Sequence, residues 1–281
     1  MEQGRDIKKP KVHRSTAVVF LRIAGAALAI VAVFILFFLL LGYRITSNVT
    51  PDGVTVRFFG RIKGGEMVSG KLSYSDGTTA RIADGKVTYS TGDVYEGGFS
   101  DCMRNGEGKM LYISGLVYEG GFKDDLFDGR GTLKLVVDYV FDGEGGVSEY
   151  LYDVYTGGFS AGKKNGTGVY EWYGGDRYEG GYKDDDRNGR GVYTWKNGDR
   201  YEGVYYKNEK SGRGILTFAN GDVYEGDFRN DRMDGEGVYR FADGGRYEGS
   251  FVNGSITGKG TYTWPDGRSY TGEFIDGEPV I

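Results

Sequence analysis

Residues 178–200 read YEGGYKDDDRNGRGVYTWKNGDR, and this stretch decides the fold. Tyr178, Gly180 and Tyr182 alternate with Glu179 and Gly181; further on, Gly191, Tyr193 and Trp195 alternate with Val192 and Thr194. Alternation with a period of two is the signature of a half-buried strand. The pair Asn197-Gly198 supplies the positive φ that a tight turn needs. The unit therefore predicts a β-hairpin with Tyr, Gly and the other aromatics on one face and Glu on the opposite face.

The pattern recurs every 23 residues, with full units opening at Tyr95, Tyr118, Tyr155, Tyr178, Tyr201, Tyr224 and Tyr247 and a partial one at Tyr270. The fourteenth position is held by glycine throughout, as in Gly168, Gly191, Gly214, Gly237 and Gly260. Degenerate or shortened units are read at Phe58, Ala80 and Phe141, the last because Tyr155 follows Phe141 by only 14 residues. The array is placed at residues 54–281, and no window beyond residue 44 shows a helical period.

The Tyr-Glu-Gly-x-Phe opening and Gly-x-Gly-x-Tyr-x-Trp middle resemble the MORN (membrane occupation and recognition nexus) repeat over about four-fifths of the chain. Thr156 and Thr271 depart from the motif by replacing its glutamate. The resemblance implies an elongated, single-layered, open antiparallel meander of stacked hairpins that associates through ends or edges. It also implies a role in membrane association or protein organisation and, less strongly, phospholipid-headgroup binding.

Stacking the units aligns Phe99, Phe122, Phe159, Tyr182, Tyr205, Phe228, Phe251 and Phe274 in one column, and Tyr112, Trp172, Trp195, Phe218, Phe241 and Trp264 in another. Packing is the first reading of both. As an interaction surface, Trp172, Trp195, Trp264, Phe218 and Phe241 are the candidates, and exposed tryptophans recurring along a rod would suit a carbohydrate or cell-wall ligand. Unpaired end strands point to homodimerisation, with Pro279 as a partial block.

Ahead of the array, residues 23–41 hold 19 consecutive uncharged, mostly apolar residues, about 28 Å as a helix. A transmembrane helix is expected over residues 17–43, between a basic cytoplasmic tail (residues 1–16) and a linker (residues 44–53). The run is longer than a signal-peptide core and lacks a small-x-small cleavage site. Arg5, Lys8, Lys9, Lys11 and Arg14 precede it, so the positive-inside rule puts the repeats on the extracytoplasmic side of a single-pass cell-membrane protein.

Composition excludes much chemistry. The chain has 281 residues with 51 Gly and 42 aromatics, the sum of 23 Tyr, 16 Phe and 3 Trp. Glycine lacks a collagen period, and the aromatic content is too high for a disordered linker. The one histidine, His13, lies in the basic tail, so the array contains no imidazole base or metal ligand, and no catalytic constellation or cofactor site is read. Asp124-Asp125 and Asp184-Asp185-Asp186 are read as solvated turns, weak Ca²⁺ binding being the minor reading. Cys102 is expected as a surface thiol, with an interchain disulfide as the alternative. Asn48, Asn165 and Asn253 open glycosylation-type triplets.

Residues 45–281 carry 28 Lys/Arg and 38 Asp/Glu, a net charge of −10 that disfavours nucleic acid and anionic lipid. The expected function is a non-enzymatic, membrane-tethered scaffold whose aromatic and glutamate rows dock a protein partner or a second copy.

Overall fold

The computed structural model describes residues 16–280, with side chains from residue 27 onward. The predicted basic tail lies outside the described residues, except for Thr16. Helix α1 (Thr16–Leu40) leads into β1 (Tyr43–Val49), β2 (Thr55–Lys63), β3 (Glu66–Tyr74), β4 (Thr79–Ala83) and β5 (Lys86–Tyr89). The repeats follow as β6 (Val94–Ser100), β7 (Met103–Leu111), β8 (Val117–Lys123), β9 (Leu126–Phe141), β10 (Val147–Ser160), β11 (Lys163–Glu171), β12 (Arg177–Lys183) and β13 (Asp186–Thr194). Strands β14 to β20 occupy residues 200–275, and β21 (Glu278–Pro279) ends the series. All 21 strands belong to one sheet, and each pairs antiparallel with its neighbours in sequence. The all-β, open antiparallel meander predicted from the repeat is what the chain forms.

Among the described residues no helix is long and apolar enough to cross a membrane, the side chains of α1 being described only for residues 27–40. The helix also stops short of the predicted boundary at residue 43. Gly42 turns the chain at φ +85°, and Arg44 donates to the Leu39 and Tyr43 carbonyls. The segment read as a linker is largely strand: Ile45 opposes Phe59 and Val49 opposes Thr55 in a regular β1–β2 ladder. Its alternation was hidden because its buried partner residues, Phe58 and Val56, come from the next strand.

A second correction concerns Phe141. No shortened unit lies there. The 37 residues from Tyr118 to Tyr155 instead lengthen both arms of one hairpin, so β9 runs 16 residues and β10 runs 14, against seven or nine for the other repeat strands. Tyr139 opposes Tyr150 across this extension, and Asp142 closes its tip by accepting the Glu144 and Gly146 amides.

In the repeats the core is an aromatic ladder, whereas β2–β5 bury mainly aliphatic side chains. Each unit-opening tyrosine from Tyr95 to Tyr247 is fully buried and meets the fifth-position ring of its own unit and of the next, edge to face except for the tilted Tyr95–Phe99 pair. For Tyr178 the centroid distances are 5.4 Å to Tyr182 and 5.2 Å to Tyr205. Such pairs add about 0.5–1.5 kcal/mol each beyond area burial. Room for the ring comes from opposed glycines: Gly180 faces Gly168 and Gly191 across the sheet, and a Cβ on Gly191 would collide with the Tyr178 hydroxyl. That hydroxyl crosses the bare stripe and donates to the Gly181 carbonyl at 3.0 Å. Burial without such an acceptor would cost about 1–3 kcal/mol.

Acidic turn residues lock neighbouring units. Asp184 and Asp185 both adopt positive φ (50° and 75°), and the Asp185 carboxylate accepts the Lys164 amide of the preceding unit. Asp125 does the same for Arg104, and Asp231 for Lys210. At the opposite edge Asp176 accepts the Lys196 amide and the Tyr193 hydroxyl. These carboxylates are therefore engaged as structural acceptors. Cys102 also departs from its expected place: it is fully buried in the core cluster at a φ of 66°, and burial pushes its thiol up to about 11. It is not positioned as a surface thiol for an interchain disulfide.

Candidate interaction surface

Because a strand sends alternate side chains to opposite sides, the tyrosines that seal one face leave the other to the residues between them. Register places these in continuous rows. Glu179 is flanked by Val169 and Val192, Glu202 by Val192 and Ile215, Glu225 by Ile215 and Val238, and Glu248 by Val238 and Thr261. The row therefore alternates carboxylate and aliphatic, and equivalent groups recur every two strands, about 9.6 Å apart. Toward the N-terminus it continues through Thr156, Thr132, Glu119, Lys109 and Glu96.

This face holds a groove of about 1040 Å³ running from Glu96 past Lys109 and Thr156 to Glu179. A further stretch of about 550 Å³ runs from Glu179 past Arg190 and Arg213 to Glu225. Several carboxylates are met by neighbouring cations, with Glu179 2.7 Å from Arg177, Glu202 2.7 Å from Arg200, and Glu96 2.6 Å from Lys86. These pairs are solvent-exposed and contribute little to stability. A partner's charges can replace them at small cost.

The predicted aromatic candidates lie elsewhere. Trp172, Trp195, Phe218, Phe241 and Trp264 sit at the turns between units and are half-buried, so the expectation of exposed tryptophans is corrected. Trp172 packs on Tyr170 at 4.4 Å and Trp195 on Tyr193 at 4.6 Å. Each therefore extends the core along one edge of the sheet. Trp172 also borders a cleft of about 460 Å³ beside Val137 and Asp153 of the long hairpin.

Two features escaped the sequence reading. One is the row of tenth-position cations: Lys164 and Lys210 lie over the aromatic ladder, at 5.7 Å from Tyr182 and Tyr201, and burial lowers both ammonium pKa values. Arg104 sits 5.3 Å from the Phe122 ring and pairs with Asp125 at 2.9 Å. The other is the long hairpin, which exposes Val137, Tyr139, Val140, Phe141 and Val147. The 14-residue excess over the 23-residue period was its available signal. Among the described residues no group of three or more His, Cys, Asp or Glu side chains is arranged to hold a metal.

The MORN repeat family model matches residues 95–117, 118–136, 155–177, 178–200, 201–223, 224–246 and 247–267. Comparison with curated proteins finds no match. Among solved structures, the TCP10 domain of Danio rerio CPAP is similar at 12% identity and a TM-score of 0.30, over 81% of this chain and 98% of that one. Virginiamycin B lyase from Staphylococcus aureus is similar at 10% identity and a TM-score of 0.15, over 85% and 84%. Neither likeness is strong enough to bear on function. The seven matched units span more than half of the sequence, and their tyrosine, glycine and fifth-position rings are those that build the core: the chain belongs to the MORN repeat family.

Proposed function

We propose that this protein is a non-enzymatic scaffold, tethered to a membrane through residues 17–43, whose repeat array docks a protein partner on its glutamate face. The carrying observation is the asymmetry of the sheet. One face is closed by the tyrosine ladder, while the other keeps an uncovered groove in which carboxylates and aliphatic side chains repeat at a fixed spacing. A surface of this kind suits an elongated partner bearing cations and small apolar groups at a matching repeat. The tether raises the effective concentration of the array for partners at the same membrane. Self-association of a second copy through the end strands β1 and β21 belongs to the same reading.

A photo-crosslinker placed at Val192 or Ile215, compared with one at Tyr173 on the turn edge, tests it. Adducts from the first two positions that vanish on charge reversal of Glu179, Glu202 and Glu225, with an unchanged melting temperature, support docking. Adducts confined to Tyr173 would overturn it. Alkaline-carbonate extraction tests the tether independently, since an integral chain stays with the membrane.

A further inference from the structure

Charge is distributed unevenly along the sheet. Residues 43–89 hold seven Lys/Arg and four Asp/Glu, a net of +3, whereas residues 90–281 hold 22 and 34, a net of −12. Register sorts the positive end further. Arg57, Phe59 and Arg61 of β2 share a face with Ile45 of β1, Lys71 of β3 and Arg81 of β4. The acids of this region are placed differently: Asp52, Asp76 and Asp84 lie in turns and Glu66 is the first residue of β3. Among the described residues, no ion pair involves Arg57, Arg61, Lys71 or Arg81, whereas the glutamate face of the repeats is crossed by them.

The same face exposes apolar side chains, Ile45 at 80% and Phe59 at 55%. Tyr43, Phe59, Lys71 and Arg81 also border a groove of about 640 Å³ that includes Gly60 and Gly70. The face adjoins the end of α1: Phe38 meets Tyr43 edge to face at 5.3 Å, and Tyr43 meets Phe59 at 6.1 Å. A band of aromatics thus runs from the apolar helix onto a cationic sheet face. Cations with interspersed aromatic and aliphatic side chains are the chemistry of a surface lying against anionic headgroups.

From this juxtaposition we infer that the face of β1–β4 carrying Ile45, Arg57, Phe59, Arg61, Lys71 and Arg81 rests on an anionic lipid surface. The acidic repeats are repelled from that surface and held clear of it. The surface lies in residues outside the seven matched units, and the inference rests on the tethered reading. It turns the N-terminal strands into a foot that orients the array, leaving the glutamate groove to its partner.

The test uses the full chain reconstituted in vesicles of phosphatidylcholine alone or enriched in phosphatidylglycerol. A fluorophore is attached to Ile45→Cys or, as control, Ile215→Cys; native Cys102 is buried. Nitroxide-labelled lipid should quench the Ile45 position in phosphatidylglycerol vesicles and leave the Ile215 position bright. Replacing Arg57, Arg61, Lys71 and Arg81 by glutamine should abolish that quenching, and each single replacement should shift the balance between quenched and bright label about fivefold toward bright. Equal quenching in both lipids, or quenching unaffected by the four replacements, would overturn the inference. A chain that resists carbonate extraction while its Ile45 label stays bright keeps its tether and loses the foot. A chain that washes out yet still co-floats with anionic vesicles in a salt-sensitive way loses the tether and keeps the foot. Washing out with no co-flotation removes both.

Discussion

Strands β2–β5 and the repeats that follow are one continuous meander with two different cores. In the first the buried side chains are mainly aliphatic, with Val56, Leu72, Ala80, Ile82 and Val87 beside Phe58. In the second they are mainly tyrosine and phenylalanine rings lying over opposed glycines, a device the first shows once, at Phe58 over Gly60 and Gly70. Hydrogen-bonded pairing is common to both, so strand pairing alone does not demand the repeat motif. The motif answers a narrower need: laying a large ring flat on a single-layered sheet and satisfying its hydroxyl at the same time.

Alkali should separate the two cores most sharply. Burial raises the phenols of Tyr155, Tyr178 and Tyr201 to about 12, from an ordinary value of 10. A group whose pKa is raised on folding stabilises fully below its unfolded value and loses that contribution as pH rises through the folded one. Stability should therefore hold up to about pH 10 and collapse toward pH 12; because the repeats carry many raised phenols and β2–β5 only those of Tyr74 and Tyr89, hydrogen exchange should show the repeats opening first. Opening in the reverse order would show that the tyrosines do not govern repeat stability.

Truncation gives the next largest contrast. Tyr224→Ala removes a fully buried ring and its hydrogen bond to the Asp227 carbonyl, and should cost about 4 kcal/mol in chemical denaturation. Leu72→Ala in the aliphatic core should cost about 3 kcal/mol. In a linear array each loss should spread to adjacent hairpins only.

Glycine chemistry sharpens the comparison within one unit. At Gly191 an added methyl would meet the Tyr178 ring, so Gly191→Ala should cost about 3 kcal/mol. At Gly189 there is open space but a φ of +89°, so Gly189→Ala should cost only the strain of about 1–2 kcal/mol. Equal melting temperatures for the two variants would show that the ring is free to move aside.

The edge column should matter less than the ladder. Trp195→Ala, from a half-buried ring on Tyr193, should cost about 2 kcal/mol. If stability is unchanged while binding of a glycan is lost, the carbohydrate reading gains over the scaffold one. Smallest of all, Glu202→Gln breaks an exposed pair with Arg200 and should change stability by less than about 0.5 kcal/mol.

The repeats were legible because period, face and turn chemistry coincide in each unit. Strand β1 was not, because seven residues with Ile45 and Val49 as their only aliphatics carry no decisive pattern until β2 lies beside them. The long hairpin was misread because a fixed template treats an excess of residues as a damaged unit, whereas antiparallel arms lengthen together at no cost to the ladder. Cys102 was misplaced because a turn position says where the backbone goes and leaves open whether the side chain folds inward.

Local chemistry written every 23 residues determined the hairpins, their turns and the side of the sheet each ring would occupy, since alternation and positive φ act between near neighbours. Tertiary structure alone decided which residues face one another across strands: the opposed glycines under each tyrosine, the carboxylates latching turns 21 residues apart, and the four cations gathered on one face of β2–β4. Those meetings depend on register between separate strands, which composition and period leave open and hydrogen-bonded pairing sets.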